Sequence, residues 1–324
     1  MSEPILIEVP DQSAVGEVRR VGSQVGRSLN FDDEVIARIA VVASELATNL
    51  VKHAKTGLVV MNRNDDDGEL EIMSLDHGPG IDDLAEALRD GHSTRGTAGT
   101  GLGAIARQAD AFGIYSRRKH GTVVVARFGK GEHSGEIGAV SIPFRGERVN
   151  GDGWATAATN GSRTVMVVDG LGHGEPAHEA AVAACQVFAT SSGTPADRLR
   201  TIHDGLRHTR GAAVAVAELD PNAGKMRFAG VGNISATMVD PTARRSAVSL
   251  HGIAGHEMRQ VREFDYPWSR ESALIMHSDG LTTRWNLDDY PALIARDPAV
   301  IAGVLWNDHR RQNDDSTVVV ARTP

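Results

Sequence analysis

A chain of 324 residues exceeds the usual size of one compact core, so two domains are expected. With 41% hydrophobic and 23% charged residues and a formal net charge of -8, the composition is that of a globular protein, and it argues against nucleic acid as the main partner, since phosphate backbones reward clustered Lys and Arg. A single cysteine, Cys185, rules out an intramolecular disulfide, and the absence of a basic, apolar leader or of a run long enough to span a bilayer predicts a cytoplasmic protein with no membrane partner.

Residues 31–54 read as a helix, with Asp32 or Asp33 as cap and Val35, Ile36, Ile39, Val42, Ala43, Leu46 and Leu50 at helical spacing. Two strands follow, over 57–61 and 69–75. Then come the turn Asp76-His77-Gly78-Pro79-Gly80, a helix over 82–89, a Gly/Thr/Ser-rich loop over 91–100, a helix over 101–111 and a strand over 122–128. The polar, glycine-rich stretch 129–135 is the linker candidate, which divides the chain into 1–130 and 136–324. The second part reads as β-rich, with strands over 136–142, 154–159, 164–168, 212–218, 226–231, 235–239, 273–278 and 317–321. Helices are predicted over 176–189, 195–207 and 292–306.

Glu45 and Asn49, with Lys52 or His53, share one face of the first helix. Asn49 can supply an oxygen to a phosphate-bound Mg2+, and Glu45 can accept a proton from an attacking hydroxyl; a solvated polar face is the plainer reading of each alone. Asp76 ends a strand and can accept from an adenine amino group, while Gly78 and Gly80 let backbone approach the ring. Gly99, Gly101 and Gly103 open a helix whose N–H groups can cradle phosphate, although a glycine motif of this kind is weak by itself.

In the second part, Asn160-Gly161 between β-like runs specifies a two-residue hairpin. Counting outward puts Thr159 opposite Ser162 and Asp152 opposite Asp169. Directly opposed residues hold their Cβ atoms about 4.5–5.5 Å apart. Two carboxylates held so close repel unless a proton or cation intervenes, which predicts a divalent metal. Asp279 and the pair Asp314-Asp315 also stand at strand ends. Each alone is a common turn former, but an all-oxygen set of this kind suits Mg2+ or Mn2+ rather than zinc. His173 is read as organising the loop after Asp169 rather than as catalytic, and Cys185 as a small core residue.

The order of the first set, from Ser44-Glu45-Leu46-Ala47-Thr48-Asn49 through Asp76-x-Gly78-x-Gly80 to Gly99-Thr100-Gly101-Leu102-Gly103, resembles the GHKL ATPase family. Within that family it is similar to the anti-sigma-type serine kinases of the RsbT-like branch. The resemblance covers roughly residues 10 to 128. It implies an α/β sandwich binding Mg-ATP, with Asn49 chelating Mg2+, Asp76 reading adenine, Glu45 as base and residues 99 to 103 holding phosphates, and a STAS-domain protein as partner. An active kinase, an ATP sensor and a docking module all remain compatible with it.

The motifs Gly151-Asp152, Asp169-Gly170-x-Gly172-His173-Gly174, Gly230-Val231-Gly232-Asn233, Ser278-Asp279-Gly280-Leu281 and Asp314-Asp315-x-Thr317 occur in the order of the SpoIIE branch of the protein phosphatase 2C family, and resemble its RsbX-like members. That resemblance implies an α+β chain of two domains: a GHKL sandwich, then a β-sandwich flanked by helices with a binuclear Mn2+ or Mg2+ site. Asp169 would bridge the metals, the Gly170 carbonyl would add a ligand, and Asp152, Asp279 and Asp314, rather than Asp315, would complete the shell. The implied reaction is in-line attack of metal-activated water on phosphoserine or phosphothreonine of a STAS-domain regulator in stress or sigma-factor signalling. A binding module that sequesters its partner beside a silent phosphatase domain is the alternative, and a hydrolase of small phosphate esters is a third.

Overall fold

The computed structural model describes residues 4–65, 68–89, 101–129, 136–159, 161–240 and 243–323. They gather into two compact units, Met1–Ser134 with Leu287–Asn307, and Gly135–Asn286 with Asp308–Pro324. Each unit mixes helices with antiparallel sheet.

The first unit begins with β1 (Ile5–Val9), α1 (Ser13–Ser28) and α2 (Asp33–Asn49). It continues through β2 (Gly57–Asn64), β3 (Glu69–Leu75), α3 (Leu84–Ala87), α4 (Gly101–Gln108), β4 (Ala111–Arg117) and β5 (Gly121–Gly129). The sheet order is β1-β2-β3-β5-β4. Alternation along the strands sends Leu70, Ile72, Val124, Ala126 and Phe128 into a core shared with Val18, Val25, Ile39, Val42, Leu46 and Ile105 of the helices. Asp32 caps α2 by accepting from the Val35 N–H at 2.8 Å. The α-helical part ends at Asn49, earlier than the sequence suggests, and a π-helical turn, Leu50–Ala54, completes the segment. The α1 helix and β4 were not expected. The glycines of α1 are what admits α2: a Cβ on Gly26 would stand 3.0 Å from Ile39 Cδ1.

The second unit runs β6 (Ile137–Ile142), β7 (Asp152–Thr159), β8 (Ser162–Gly170), α5 (Glu175–Thr190), α6 (Pro195–Gly205), β9 (Ala212–Asp220), β10 (Lys225–Val231), β11 (Ser235–Val239), β12 (Arg244–Ser246), β13 (Phe264–Pro267) and β14 (Ala273–His277). Two five-stranded sheets result, ordered β13-β10-β9-β8-β7 and β12-β11-β14-β15-β6, where β15 is Ser316–Ala321. Inward residues such as Val165, Val167, Phe228, Met238, Leu274, Met276 and Val319 fill the sandwich. Met166, Val168, Val214 and Val216 face the other way and are covered by Ala181, Ala184 and Phe188 of α5 and Leu199 and Ile202 of α6. Thr194 and Asp197 form a reciprocal capping box at the start of α6.

Residues 287–307 lie late in the sequence yet belong to the first unit. The helix expected over 292–306 instead begins at Pro298, a residue suited to a helix start, as α7 (Pro298–His309). Every residue from Pro298 to Asn307 is buried. The segment lies on the sheet face opposite α2, where Met73, Leu75, Val123 and Val125 are all buried. Close approach is made possible by two glycines. A Cβ on Gly303 would stand 2.8 Å from Met73 Sδ and 2.9 Å from Val123 Cγ1, and one on Gly113 of β4 would stand 2.8 Å from Val300 Cγ2. Polar contacts edge the same surface: Tyr115 donates to the Pro291 carbonyl at 3.4 Å, and the Arg117 guanidinium lies 4.6 Å from the Tyr290 ring centre. No helix among the described residues is long and apolar enough to cross a membrane.

Candidate functional sites

In the first unit, α2 carries Glu45 and Asn49 one turn apart, and the first residue of α4 meets them. A Cβ on Gly101 would stand 3.3 Å from Asn49 Oδ1 and 3.7 Å from Glu45 Oε2. The π turn after α2 brings Ala54 against Gly78, where a Cβ would come within 2.8 Å of the Ala54 Cα. Gly80 adopts φ +73°, which disfavours other residues, and Gly103 is buried in the first turn of α4. Gly99, together with the rest of the 90–100 loop, lies outside the described residues.

Asp76 directly follows β3. Its N–H donates to the Thr122 carbonyl at 3.1 Å, and its Oδ1 accepts from the N–H groups of Gly78 at 2.7 Å and Thr122 at 3.2 Å. Burial pushes its carboxyl above the ordinary range, against the pull of those two donors. Both bonds fall on Oδ1 and anchor that oxygen in the turn.

In the second unit, β7 and β8 pair in the register counted from the turn, with Asp152 opposite Asp169 and Thr159 opposite Ser162; Asn160 itself lies outside the described residues. Gly170 donates to the Gly151 carbonyl at 2.9 Å and closes the end of the hairpin. Asp279 follows β14, and Asp314 precedes β15. Burial, then the charges of Asp279, Asp314 and Asp315, push the Asp169 carboxyl up to about 8. Asp152 is raised well above the ordinary range by its burial and by Asp169, and Asp314 is raised by burial and by its contact with Asp279. Asp169 is the common neighbour, set opposite Asp152 on the hairpin and influenced by Asp279 and Asp314, and after burial the leading influence on each of Asp152, Asp169 and Asp314 is another carboxylate. The side chains meet in pairs. Among the described residues, no three His, Cys, Asp or Glu side chains converge as a finished cation shell. The chemistry of the donor set, carboxylate oxygens at neighbouring strand ends, nonetheless fits a hard divalent cation.

Asp315 is placed differently from Asp314. Its Oδ1 accepts from the Phe144 N–H at 2.6 Å and its Oδ2 from the Gly151 N–H at 3.0 Å, so it ties the segment before β7 to the start of β15. Three further residues hold the carboxylates in place, and the sequence assigned them no role. Ser278 donates to Asp152 Oδ2 at 2.6 Å and accepts from the Thr317 N–H at 3.0 Å, and Asn233 Nδ2 donates to Asp279 Oδ2 at 2.8 Å. The recurring Ser-Asp-Gly, Gly-Asn and Asp-Asp-x-Thr patterns were the available signal. His173 pairs with Glu147 at 2.9 Å and takes no part in the carboxylate pairs, in keeping with a loop-organising role. Arg210 reaches that loop, its Nη1 3.4 Å from where a Cβ on Gly172 would stand. Burial pushes the Cys185 thiol up to about 11, so it is not a thiolate at neutral pH.

A model of the histidine kinase-like ATPase domain matches residues 9–128, and a model of stage II sporulation protein E (SpoIIE) matches residues 159–324. The serine/threonine-protein kinase RsbT of Bacillus subtilis is 32% identical over 128 residues, covering 39% of this chain and 96% of its own length. A solved structure from work on the bacterial stressosome, a modular system adapted to control secondary messenger signaling, is 27% identical with a TM-score of 0.53, covering 58% of this chain and 98% of its own. A structure of RsbX in complex with magnesium is 17% identical with a TM-score of 0.49, covering 60% of this chain and 98% of its own. The SpoIIE match takes in just over half of the sequence, and the chain therefore belongs to the SpoIIE family of protein phosphatase 2C-like proteins, with a histidine kinase-like ATPase domain of RsbT type preceding the phosphatase domain.

Proposed function

We propose that the protein is a metal-dependent serine/threonine phosphatase that removes phosphate from a STAS-domain regulator, and that its first unit binds Mg-ATP and phosphorylates or senses such a regulator. The observation that carries the phosphatase reading is the pairing of Asp152 with Asp169 across the hairpin, together with the burial of Asp169 and the charges of Asp279 and Asp314 beside it, which push its carboxyl up to about 8. Those four side chains and the Gly170 carbonyl would hold two Mn2+ or Mg2+ ions. Bound there, the ions would supply a nucleophilic water at neutral pH and neutralise charge on the phosphoryl oxygens. The chain itself contributes placement. The β7–β8 hairpin sets Asp152 against Asp169, Ser278 orients Asp152, and Asn233 orients Asp279.

The kinase-like reading draws support from the RsbT relative and from the grouping of Glu45, Asn49 and Gly101. Asn49 would reach a phosphate-bound Mg2+, Asp76 would take the adenine amino group, and Glu45 would accept the hydroxyl proton of the acceptor serine. A STAS-domain substrate and a place in stressosome or sigma-factor signalling fit the same relatives.

The test uses the full chain, Mn2+, a phosphoserine-bearing STAS domain and p-nitrophenyl phosphate. The expected result is Mn2+-dependent release of phosphate from the STAS domain that Asp169→Asn abolishes. Equal rates for wild type and Asp169→Asn remove the enzyme reading and leave a binding module. Turnover of the small ester with none of the phosphoprotein transfers the assignment to small phosphate esters. Loss of ATP-dependent STAS phosphorylation in Glu45→Ala separates a kinase from a docking module.

A further inference from the structure

Asp76 has a partner from far along the chain. The side-chain amide of Asn307, near the end of α7, donates to the Asp76 carbonyl at 3.0 Å and approaches His77 Nδ1 at 3.4 Å. Asn307 is buried, and it belongs to the same compact unit as Asp76. Its Nδ2 is the atom that faces a carbonyl oxygen, since the amide oxygen there would oppose like charge. Within the turn, the Asp76 N–H is bound to Thr122, its Oδ1 to Gly78 and Thr122, and its carbonyl to Asn307. Thr122 therefore holds the peptide before Asp76, and Asn307 holds the carbonyl of the peptide after it.

We propose that Asn307 is a positioning residue of the nucleotide site, acting through the Asp76 peptide, so that the adenine-reading turn is completed by a residue interior to the SpoIIE-matching half of the sequence. This inference rests on Asp76 being the adenine acceptor. The physical ground is the cost of leaving a carbonyl without its donor. Without the amide, the peptide can rotate to find water, and the Oδ1–Gly78 turn that aims the carboxylate loosens with it. Docking by Asn307 depends in turn on Gly303 and Val300, which place α7 against β3, β4 and β5. A chain stopping at the linker would carry Asp76 without Asn307, and a chain starting there would carry Asn307 without Asp76.

Equilibrium binding of ATP and GTP to the full chain tests this in wild type, Asn307→Ala and Asp76→Asn. The expected result is that Asn307→Ala weakens ATP about tenfold and narrows the preference for ATP over GTP, while the nucleotide-free chain still folds and melts only a few degrees lower. Asp76→Asn should lose ATP more severely. If Asp76→Asn loses ATP but Asn307→Ala stays within twofold of wild type with its preference for ATP intact, the positioning role is overturned and the nucleotide reading stands. If Asp76→Asn binds ATP as wild type does, the nucleotide reading falls and this inference with it. Should Asn307→Ala fail to fold, hydrogen exchange on the wild type decides. Saturating ATP must slow exchange over residues 298–307, because coupling between two sites is reciprocal, and unchanged exchange overturns the proposal.

Discussion

Arg127 and Asp297 are 170 positions apart and form a two-pronged ion pair, Nη1 to Oδ2 at 2.8 Å and Nη2 to Oδ1 at 2.9 Å. Arg127 comes from β5 and is buried, and its Nε reaches Glu71 Oε2 of β3 at 2.8 Å. Asp297 immediately precedes α7 and also accepts from the Ala299 N–H at 2.8 Å, so it caps the helix while it anchors it. One carboxylate thus sets where α7 begins and which strand it meets.

The first prediction concerns this pair. Asp297→Ala leaves a buried guanidinium with only Glu71 and Glu69 to face it. It should destabilise the first unit by roughly 3 kcal/mol, the low end for breaking a buried pair. Replacing the whole cluster with apolar residues, Arg127→Met with Asp297→Leu and Glu71→Leu, should recover part of that loss, the cap on the Ala299 N–H staying unmade. Acid should act like the single substitution. Burial alone would raise the Asp297 carboxyl, but the Arg127 guanidinium outweighs it and holds the group below its ordinary 3.8. The pair's contribution is therefore complete above pH 3.8 and is lost as pH falls below that value through the lowered folded-state pKa. Urea unfolding at a series of pH values, for wild type and the two variants, checks both statements. A single variant as stable as wild type would contradict them.

Gly303 carries the second prediction. A Val side chain there must displace Met73 Sδ and Val123 Cγ1, which stand 2.8 and 2.9 Å from the site of its Cβ. Met73 is flexible and can yield in part, so the cost should be about 1–3 kcal/mol, against a smaller one for Gly303→Ala. Hydrogen exchange should rise across residues 298–307 in Gly303→Val. A change confined to β7–β10 would place α7 elsewhere.

Much of this was readable before any coordinates, and the reasons are local. The Asp152–Asp169 pairing followed from a two-residue turn, because a hairpin fixes its register by counting. The five phosphatase motifs lie at strand ends, where short patterns report position directly. The partner of α7 was not legible. Val300, Ile301, Val304 and Leu305 announce a helix buried on all sides, but nothing in a helical pattern says which sheet covers it. Gly113 of β4 is the notch that accepts Val300, and nothing in the sequence of β4 names that neighbour. The supports of the carboxylates were visible only as motif letters, since which hydroxyl meets which oxygen depends on strands remote in sequence.

The adjacent aspartates before β15 offer a third prediction. Asp315 spends both oxygens on backbone N–H groups, those of Phe144 and Gly151, whereas Asp314 contacts Asp279. Asp315→Asn should lower stability by about 1–2 kcal/mol, since an amide nitrogen replaces an acceptor at a buried bond. It should leave the Mn2+ concentration for half-maximal phosphatase activity within a few fold of wild type. Asp314→Asn should do the reverse, with stability kept or raised at pH 7 and Mn2+ dependence shifted by an order of magnitude or more. Stability is read from thermal melts without metal, and Mn2+ dependence from p-nitrophenyl phosphate turnover. An exchange of the two outcomes would make Asp315 the ligand.

Ser278 supplies the last prediction. Its hydroxyl hydrogen goes to Asp152 Oδ2 at 2.6 Å, and its oxygen receives the Thr317 N–H at 3.0 Å. It thereby joins the end of β14 to the starts of β7 and β15 through one atom. Ser278→Ala removes both bonds but no metal ligand. Asp152 then keeps only its side-chain bond with Thr317 and can rotate more freely, so Mn2+ should bind about tenfold more weakly, the usual effect of losing a residue that orients a ligand. Turnover at saturating Mn2+ should largely return, because the ligands themselves are intact. Ser278→Thr keeps the hydroxyl and should bind Mn2+ more tightly than Ser278→Ala, provided that its methyl finds room. Calorimetric titration of the metal-free chain with Mn2+ separates affinity from turnover. Wild-type affinity in Ser278→Ala would mean that the hairpin and Thr317 hold Asp152 without Ser278.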